Sequence, residues 1–357
     1  MLLVPYNKLS DRNLHKSGGK PVNSLEYILI SPHSLELVEK KLEWPPVSGS
    51  GILCKTLMTG ISPGTELAAW NGEPPLRPSG GYPRKIGYQN ISEVIAIAGK
   101  NEKLQVGDQI YTNQSHCSHF LSHEKDVLAI VPRTRDIKEY IFSYMYHMSL
   151  CALSMDKRSS PDAEMKIAVF GGGALGSAIV EIANNLGYLV VLVSDSISES
   201  KLHSTRNAIM SREEFKKKYK ETSIAFHQNI VCTNRWDDYY SSLSTACANG
   251  TIVLLGFPGR DGSLPLANPF EPKYFYLNNL VISSLPTDRK SLFTSFDKNL
   301  SLCESMSDIV SRISQGTLGQ TFSRAETLDY VDLEIAYAKL SENRKSNSSL
   351  ALSWSQN

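Results

Sequence analysis

Two groups of residues in this 357-residue chain have the types and spacing to do chemistry. Gly171, Gly173 and Gly176 lie in VFGGGALGSAIVEIANNLG and satisfy G-x-G-x-x-G between an apolar run, IAVF, and a helical pattern. In that setting the first glycine makes a tight turn and the second lets backbone approach a pyrophosphate. The third lets helix pack against strand. Ala174 and Leu175 open the helix, whose first N–H groups would face the anion. Strand before and helix after distinguish a dinucleotide site from a bare glycine-rich turn. The second group is in KIGYQNISEV, residues 85 to 94, where Gly87 is followed by Tyr88 and Gln89. Both side chains are polar and uncharged, and neither is a good metal ligand; what they offer is hydrogen bonds.

The strand-like run YLVVLVSDS ends where a dinucleotide domain selects its ribose. An acidic residue there bonds the 2′-hydroxyl of NAD, whereas neutral or basic residues admit the 2′-phosphate of NADP. Counted from Gly187, the position falls on Ser194, with Asp195 next and Lys201, His203 and Arg206 following. Ser194 and Lys201 point to NADPH; an inward-turned Asp195 would point to NADH instead. Gly256, at the end of the apolar run TIVLLGF, completes the expected cofactor-binding set.

Other clusters carry less. The six cysteines are scattered with no C-x-x-C pair, so neither a disulfide framework nor a zinc knuckle is indicated. HCSHFLSH gathers His116, Cys117, His119 and His123 without the spacing of a recognised metal site. These read as surface or partly buried histidines, with His119 able to border a substrate cleft. His147, on a helical pattern, reads as a packed interior histidine. The basic run Lys216 to Lys220 sits among acidic residues and reads as a solvated helix face.

The balance of 37 basic and 36 acidic residues argues against a nucleic-acid partner. No run approaches the roughly 18 apolar residues that span a bilayer. The opening MLLVPYNKLSDRN is too short in apolar residues for a secretory signal, and Pro5 interrupts it. The expectation is a cytoplasmic protein with reduced thiols, without membrane attachment.

Two kinds of element must position these residues. Residues 1–22 read as an N-terminal arm. From 23 to 140 short strand-like runs (EYILI, GILCKTLM, SEVIAIA, DQIYT, DVLAIV) alternate with turns. From 141 to 290 strands alternate with helices, which implies a parallel sheet covered on both faces. SSLSTACANG reads as helical there, and TLDYVDLEIAYAKLSEN, in the closing segment 291–357, reads as one amphipathic helix. The fold class is α/β.

GISPGTEL (60–67), IGYQNISEVIAIAG (86–99), LQVGDQIY (104–111), GTIVLLGF (250–257) and ANPFEPKYFYLNNLVISSL resemble segments of the medium-chain dehydrogenase/reductase superfamily. The resemblance covers nearly the whole chain after residue 22. It implies a GroES-like β-rich catalytic domain over 23–140 and a Rossmann doubly wound NAD(P)-binding domain over 141–290. It also implies a final segment, 291–357, that returns to the catalytic domain. In zinc-dependent members a cysteine ligand occupies the position of Ser62, and Gly-His-Glu occupies the positions of Gly87, Tyr88 and Gln89. Cys117 is the only cysteine between residues 55 and 150, so the four-cysteine structural zinc lobe is missing as well. The resemblance is therefore to a member without zinc.

Zinc-free relatives of this kind deliver hydride from NADPH to the β-carbon of an activated double bond. The developing enolate then needs hydrogen-bond donors and a proton. Tyr88, Gln89, Ser62 and Thr65 are donors in the matching segments, and Thr65 matches the hydroxyl that relays protons in zinc-containing relatives. Tyr82, in the loop before, is a further phenol able to enter the cleft. Each also has a plainer role: a ring on the cleft floor for Tyr88, a bond to backbone for Gln89, turn or cap hydroxyls for Ser62 and Thr65. Glu66 is expected to anchor the loop.

The expected function is a zinc-independent NAD(P)H-dependent reductase acting on an enone, or on a dehydroamino-acid residue in a peptide or natural-product precursor. One alternative is an NAD(P)-dependent alcohol or hydroxyethyl dehydrogenase, because GISPGTEL and GGYPRKIGYQNISEV also resemble a branch with pigment-pathway dehydrogenases. The other is a non-catalytic nucleotide-binding subunit. A homodimer through the Rossmann sheet edge near LVISSL is a further implication.

Overall fold

The computed structural model describes residues 21–76, 80–155, 165–196, 208–219, 226–260, 262–285, 293–294, 299–342 and 349–354. Lys201, His203 and Arg206 lie outside them, as does nearly all of the 1–22 arm.

The first part of the chain is built of short strands. β1 (Val22–Ser31) and β2 (Ser34–Leu42) form an antiparallel hairpin. β3 (Gly51–Gly60) leads into α1 (Pro63–Trp70), and β4 (Arg84–Lys85), β5 (Gln89–Ala98), β6 (Gln109–Thr112), β7 (His119–Ser122) and β8 (Ala129–Val131) follow. β3 and β5 pair antiparallel from Gly51 opposite Ala98 to Gly60 opposite Gln89. That register sets the Tyr88–Gln89 corner beside the chain leaving β3. α1 has Pro63 in its first turn, where the missing N–H of proline is no loss.

α2 (Ser143–Leu153) carries the chain into a second sheet. Its elements are β9 (Lys166–Phe170), α3 (Ala174–Asn185), β10 (Leu189–Val193), β11 (Ala208–Met210), α4 (Arg212–Tyr219), β12 (Phe226–Val231), α5 (Trp236–Ser244), β13 (Ala246–Leu254) and β14 (Val281–Ser284). The strands are all parallel in the order β11-β10-β9-β12-β13-β14, with the order reversing beside β9. This is the doubly wound dinucleotide topology, whose ligand crevice opens at the carboxyl ends of the strands. On α4 only Phe215 is buried while Lys216, Lys217 and Lys218 face solvent. The helical reading of SSLSTACANG holds only to Ser244. From Ala246 the chain belongs to β13: Ala246 pairs with Phe226 of β12, and after an irregularity the ladder resumes at Thr251, flanked there by β12 and β14.

A two-residue pair, β15 (Phe293–Thr294) and β16 (Asn299–Leu300), precedes α6 (Leu302–Ser314). Ser301 and Glu304 close a reciprocal capping box on α6. TLDYVDLEIAYAKLSEN is split rather than one helix: β17 (Glu326–Asp329) comes before α7 (Leu333–Glu342). β17 lies parallel to β18 (Leu350–Ser353), and the Asp329 carboxylate takes the Val331 N–H at the break. β18 in turn pairs antiparallel with β3, Ala351 opposite Gly60, so the C-terminal chain lies against the corner.

One core joins the two sheets. Met58, Ile91 and Tyr111 of the first sheet share it with Ile167, Val169 and Val253 of the second, through α2, α3 and α6. Glu181 on α3 adds a polar tie, accepting the backbone N–H groups of Gly319, Gln320 and Thr321 at 2.9, 3.0 and 2.8 Å and the Tyr146 hydroxyl at 2.7 Å.

Candidate active site

Ser62 stands at the N-cap of α1, and the Tyr88 hydroxyl donates to its Oγ at 2.5 Å. Thr65, in the first turn of α1, is a second hydroxyl partner of Tyr88. The Tyr88 ring meets Tyr144 edge-on, 5.5 Å between centroids. Burial pushes the Tyr88 phenol up to about 12; the Glu66 charge adds to this, while the Ser62 and Thr65 hydrogen bonds oppose it. The phenol therefore stays protonated at ordinary pH and acts as a donor, not a base.

Gln89 is wholly buried, and neither its amide nitrogen nor its oxygen has a hydrogen-bond partner. It does not bond a backbone group, as its plainer reading required. A Cβ on Gly60 would come within 3.2 Å of the Gln89 nitrogen, so the amide lies under the end of β3. Tyr82 does not join this group. Its hydroxyl donates to the Ala69 carbonyl at the far end of α1, which holds it in the wall of the following loop.

Behind the corner lies a network that the spacing of the chain did not reveal. His116 is fully buried, contrary to its reading as a surface or partly buried histidine. Its ring packs beneath Gly87, where a Cβ would come within 2.7 Å and φ is +90°, so only glycine fits. Glu66 accepts the Ser62 N–H at 2.7 Å, the Tyr337 hydroxyl at 2.7 Å and His116 Nε2 at 2.9 Å. Trp354 Nε1 donates to Thr59 Oγ1 at 3.0 Å, and that hydroxyl lies 2.8 Å from His116 Nδ1. The Glu66 carboxylate only accepts, so Nε2–H donates to it, while Nδ1 pairs with the Thr59 hydroxyl. Glu66 thus anchors the loop, as its position suggested.

The rest of the histidine cluster disperses. His119 is on β7, opposite Lys55 and away from the Gly60 end of β3, so it does not border the corner. Burial, with the Lys55 charge, holds its imidazole below the usual range. His123 is exposed, and Cys117 is buried in a separate apolar cluster with Cys54. Among the described residues no three His, Cys, Asp or Glu side chains converge on a point. The corner itself presents two hydroxyls, a phenol and a carboxamide, and its nearest imidazole and carboxylate are bonded to each other. That donor set does not fit zinc, which takes thiolate, imidazole or carboxylate. His147 is buried on α2 with Nδ1 at 2.9 Å from Ser305 Oγ and Nε2 at 3.5 Å from Cys151 Sγ; burial pushes it down to about 4.

Two of the three glycines of the turn are held by close packing. Gly171 has φ +106°, and a Cβ there would meet the Thr233 methyl at 2.6 Å. A Cβ on Gly176 would meet the Gly171 carbonyl at 1.9 Å, which makes the third glycine obligatory for the strand–helix approach. Gly173 opens onto free space and caps α3 without any side-chain bond. Ala174, Leu175 and Gly176 precede the first intrahelical bond, from Ser177 N–H to Gly173, so their N–H groups are the ones a phosphate would take. At Gly256 a Cβ would come within 1.9 Å of the Thr233 carbonyl, so this position too admits only glycine.

At the tip of β10, Ser194 is buried and its Oγ is 3.1 Å from Ser196 Oγ. Asp195 and Ser196 beside it are exposed. The Asp195 carboxylate accepts the Arg212 backbone N–H at 3.0 Å and Nη1 at 2.6 Å, and these bonds hold it below the usual range against partial desolvation. Arg212 also forks onto Asp238 at 2.7 and 2.9 Å.

The chain is similar to solved dehydrogenases over nearly its whole length. L-idonate 5-dehydrogenase of Escherichia coli superposes with a TM-score of 0.75 at 13% identity, covering 94% of this chain and 100% of that one. A short chain alcohol dehydrogenase of Escherichia coli, complexed with NADH, gives 0.73 at 15% identity, with 93% and 99% covered. The 2R,3R-butanediol dehydrogenase of Bacillus subtilis gives 0.70 at 13%, with 92% and 99% covered. An alcohol dehydrogenase of Geobacillus stearothermophilus is 21% identical over 261 residues, 64% of this chain and 76% of that protein. No family model matches the chain.

Proposed function

We propose that this chain, which has the GroES-like plus Rossmann fold of the medium-chain dehydrogenases/reductases, is a nicotinamide-dinucleotide-dependent oxidoreductase that reduces an activated C=C bond without zinc. The observation that carries this reading is the hydroxyl pair Tyr88–Ser62 at the corner, held by Glu66 and served by a glycine turn suited to a dinucleotide. Gly171, Gly173 and the N–H groups of Ala174, Leu175 and Gly176 would hold the pyrophosphate. The dihydronicotinamide, when bound, supplies a hydride.

The corner's task is the oxyanion. Hydride arriving at the β-carbon of an enone leaves charge on the carbonyl oxygen. Hydroxyl protons rotate, so Ser62 can turn to donate to Tyr88 while Tyr88 donates to that oxygen. With its phenol pushed up to about 12, Tyr88 shares its proton and does not give it up. The proton that completes the product enters at the α-carbon from water. An enolate is a far weaker base than an alkoxide, so neutral donors suffice for it. The substrate is a small enone or a dehydroamino-acid residue in a peptide.

At the end of β10 the Asp195 carboxylate suits the ribose of NADH and its partner Arg212 suits the 2′-phosphate of NADPH, so the reading takes either nucleotide. Ser194, on which NADPH was expected, is buried against Ser196, and Lys201 is outside the described residues. A second reading, alcohol–carbonyl exchange, is favoured by the names of the similar proteins, which are alcohol, butanediol and idonate dehydrogenases. For assembly the reading is a homodimer. Among the described residues no strand pairs with the outer edge of β14, and the same edge of a second copy would complete the sheet about a twofold axis.

The deciding experiment follows NADH and NADPH oxidation against an enone panel and a dehydroalanine peptide, beside alcohol-dependent reduction of NAD in EDTA. Turnover of an enone or of the peptide with NADH or NADPH is expected. Alcohol oxidation alone selects the second reading, and tight nucleotide binding with no hydride transfer leaves a nucleotide-binding subunit.

A further inference from the structure

The loop that leaves β13 is fixed to the nucleotide domain by its own backbone. Gly256 N–H donates to Val231 at 3.0 Å, Phe257 N–H to Asn234 Oδ1 at 2.9 Å and Gly259 N–H to the Asn234 carbonyl at 3.0 Å. From this loop Arg260 reaches into the other domain. Its Nη1 donates to the Gly64 carbonyl at 3.2 Å, Nη2 to Pro75 at 2.7 Å and Nε to Pro74 at 3.4 Å. The guanidinium carbon lies 4.2 Å from the centre of the Phe257 ring, which backs the fork. Gly64 lies between Ser62 and Thr65, in the first turn of α1.

A line of close contacts therefore runs from the glycine turn to the catalytic corner. Gly171 lies against the Thr233 methyl and Gly256 against the Thr233 carbonyl, in both cases too tightly to admit a Cβ. Four residues beyond Gly256, Arg260 holds Gly64. We propose that Arg260 is a positioning residue that couples occupancy of the nucleotide turn to the placement of the Ser62–Thr65 segment. A ligand seated on Gly171–Gly176 loads Thr233 and the loop beyond it. The guanidinium passes that constraint to α1, because a planar fork on several carbonyls fixes direction as well as distance. Lysine keeps the charge but cannot reproduce the fork.

The coupling rests on the nucleotide reading, and amide hydrogen exchange separates the two without any substrate. In the wild type, saturating NADH should slow exchange both at 171–177 and, across the cleft, at 62–76. In Arg260→Ala the protection at 171–177 should persist while that at 62–76 falls about tenfold. Arg260→Lys should show the same loss with an unchanged melting temperature, which guards against a general folding defect. Once a substrate is known, both variants should lower kcat about tenfold with little change in nucleotide Kd. Protection at 62–76 surviving in both variants would overturn the coupling. Absence of protection at 171–177 in the wild type, with NADH and with NADPH, would refute the nucleotide reading and the coupling with it.

Discussion

In the proposed chemistry Tyr88 carries the oxyanion, because the residue is half-buried and its hydroxyl is bonded to that of Ser62. Tyr88→Phe keeps the ring against Tyr144 and removes only the donor. Its kcat/KM for the reduced substrate should fall by about 10–1000-fold, the usual cost of one oxyanion donor, while nucleotide Kd measured by titration stays put. With the phenol pushed up to about 12, the wild-type rate should show no alkaline limb from this group below about pH 10. A limb near pH 8 would mean that Tyr88 works as a base. Tyr88 and Gln89 were legible in the sequence as polar residues at a metal-binding position. The burial of Gln89 and the attachment of Tyr82 to Ala69 were not, since both depend on which strand lies opposite.

Among the elements, α2 and α6 meet through the His147–Ser305 hydrogen bond. His147 is pushed down to about 4, against about 6.5 when the chain is unfolded. A depressed native pKa means that the stability is complete above pH 6.5 and is lost as pH falls towards 4. The loss should amount to roughly 2–3 kcal/mol in urea titrations across that window, and His147→Gln should flatten it. Equal acid sensitivity in the variant would show that another group is responsible. Apolar periodicity was enough to find α2 and α3, whose faces are buried along their length. It missed α1, where Ser62-Pro63 with Glu66 was the available start signal, and it merged β17 with α7. A strand of four residues whose partner comes more than twenty positions later leaves no local trace.

At the scale of the molecule, the chain between β13 and β14, the last strand of the parallel sheet, carries exposed apolar side chains. Leu264, Leu266, Tyr276 and Leu277 are 81%, 89%, 78% and 74% exposed, and exposed apolar side chains of this size suit a contact with a second copy. Replacing Val281 and Leu277 together by lysine and aspartate should convert a dimer to monomer in sedimentation equilibrium and leave the far-ultraviolet spectrum intact. A wild-type monomer at micromolar concentration would end that reading. The sequence alone determined the glycine-rich strand–turn–helix, the alternation that makes a parallel sheet and the absence of thiol and imidazole at positions 62 and 88. These are properties of residue type and local period, which need no partner to be read. Only the tertiary structure decided that His116 is locked to Glu66 under Gly87, that Ser194 is buried while Asp195 meets Arg212, and that Arg260 grips Gly64 across 196 positions. Each is a pairing between distant residues set by the register and packing of whole elements, and such pairings do not exist until the chain has folded.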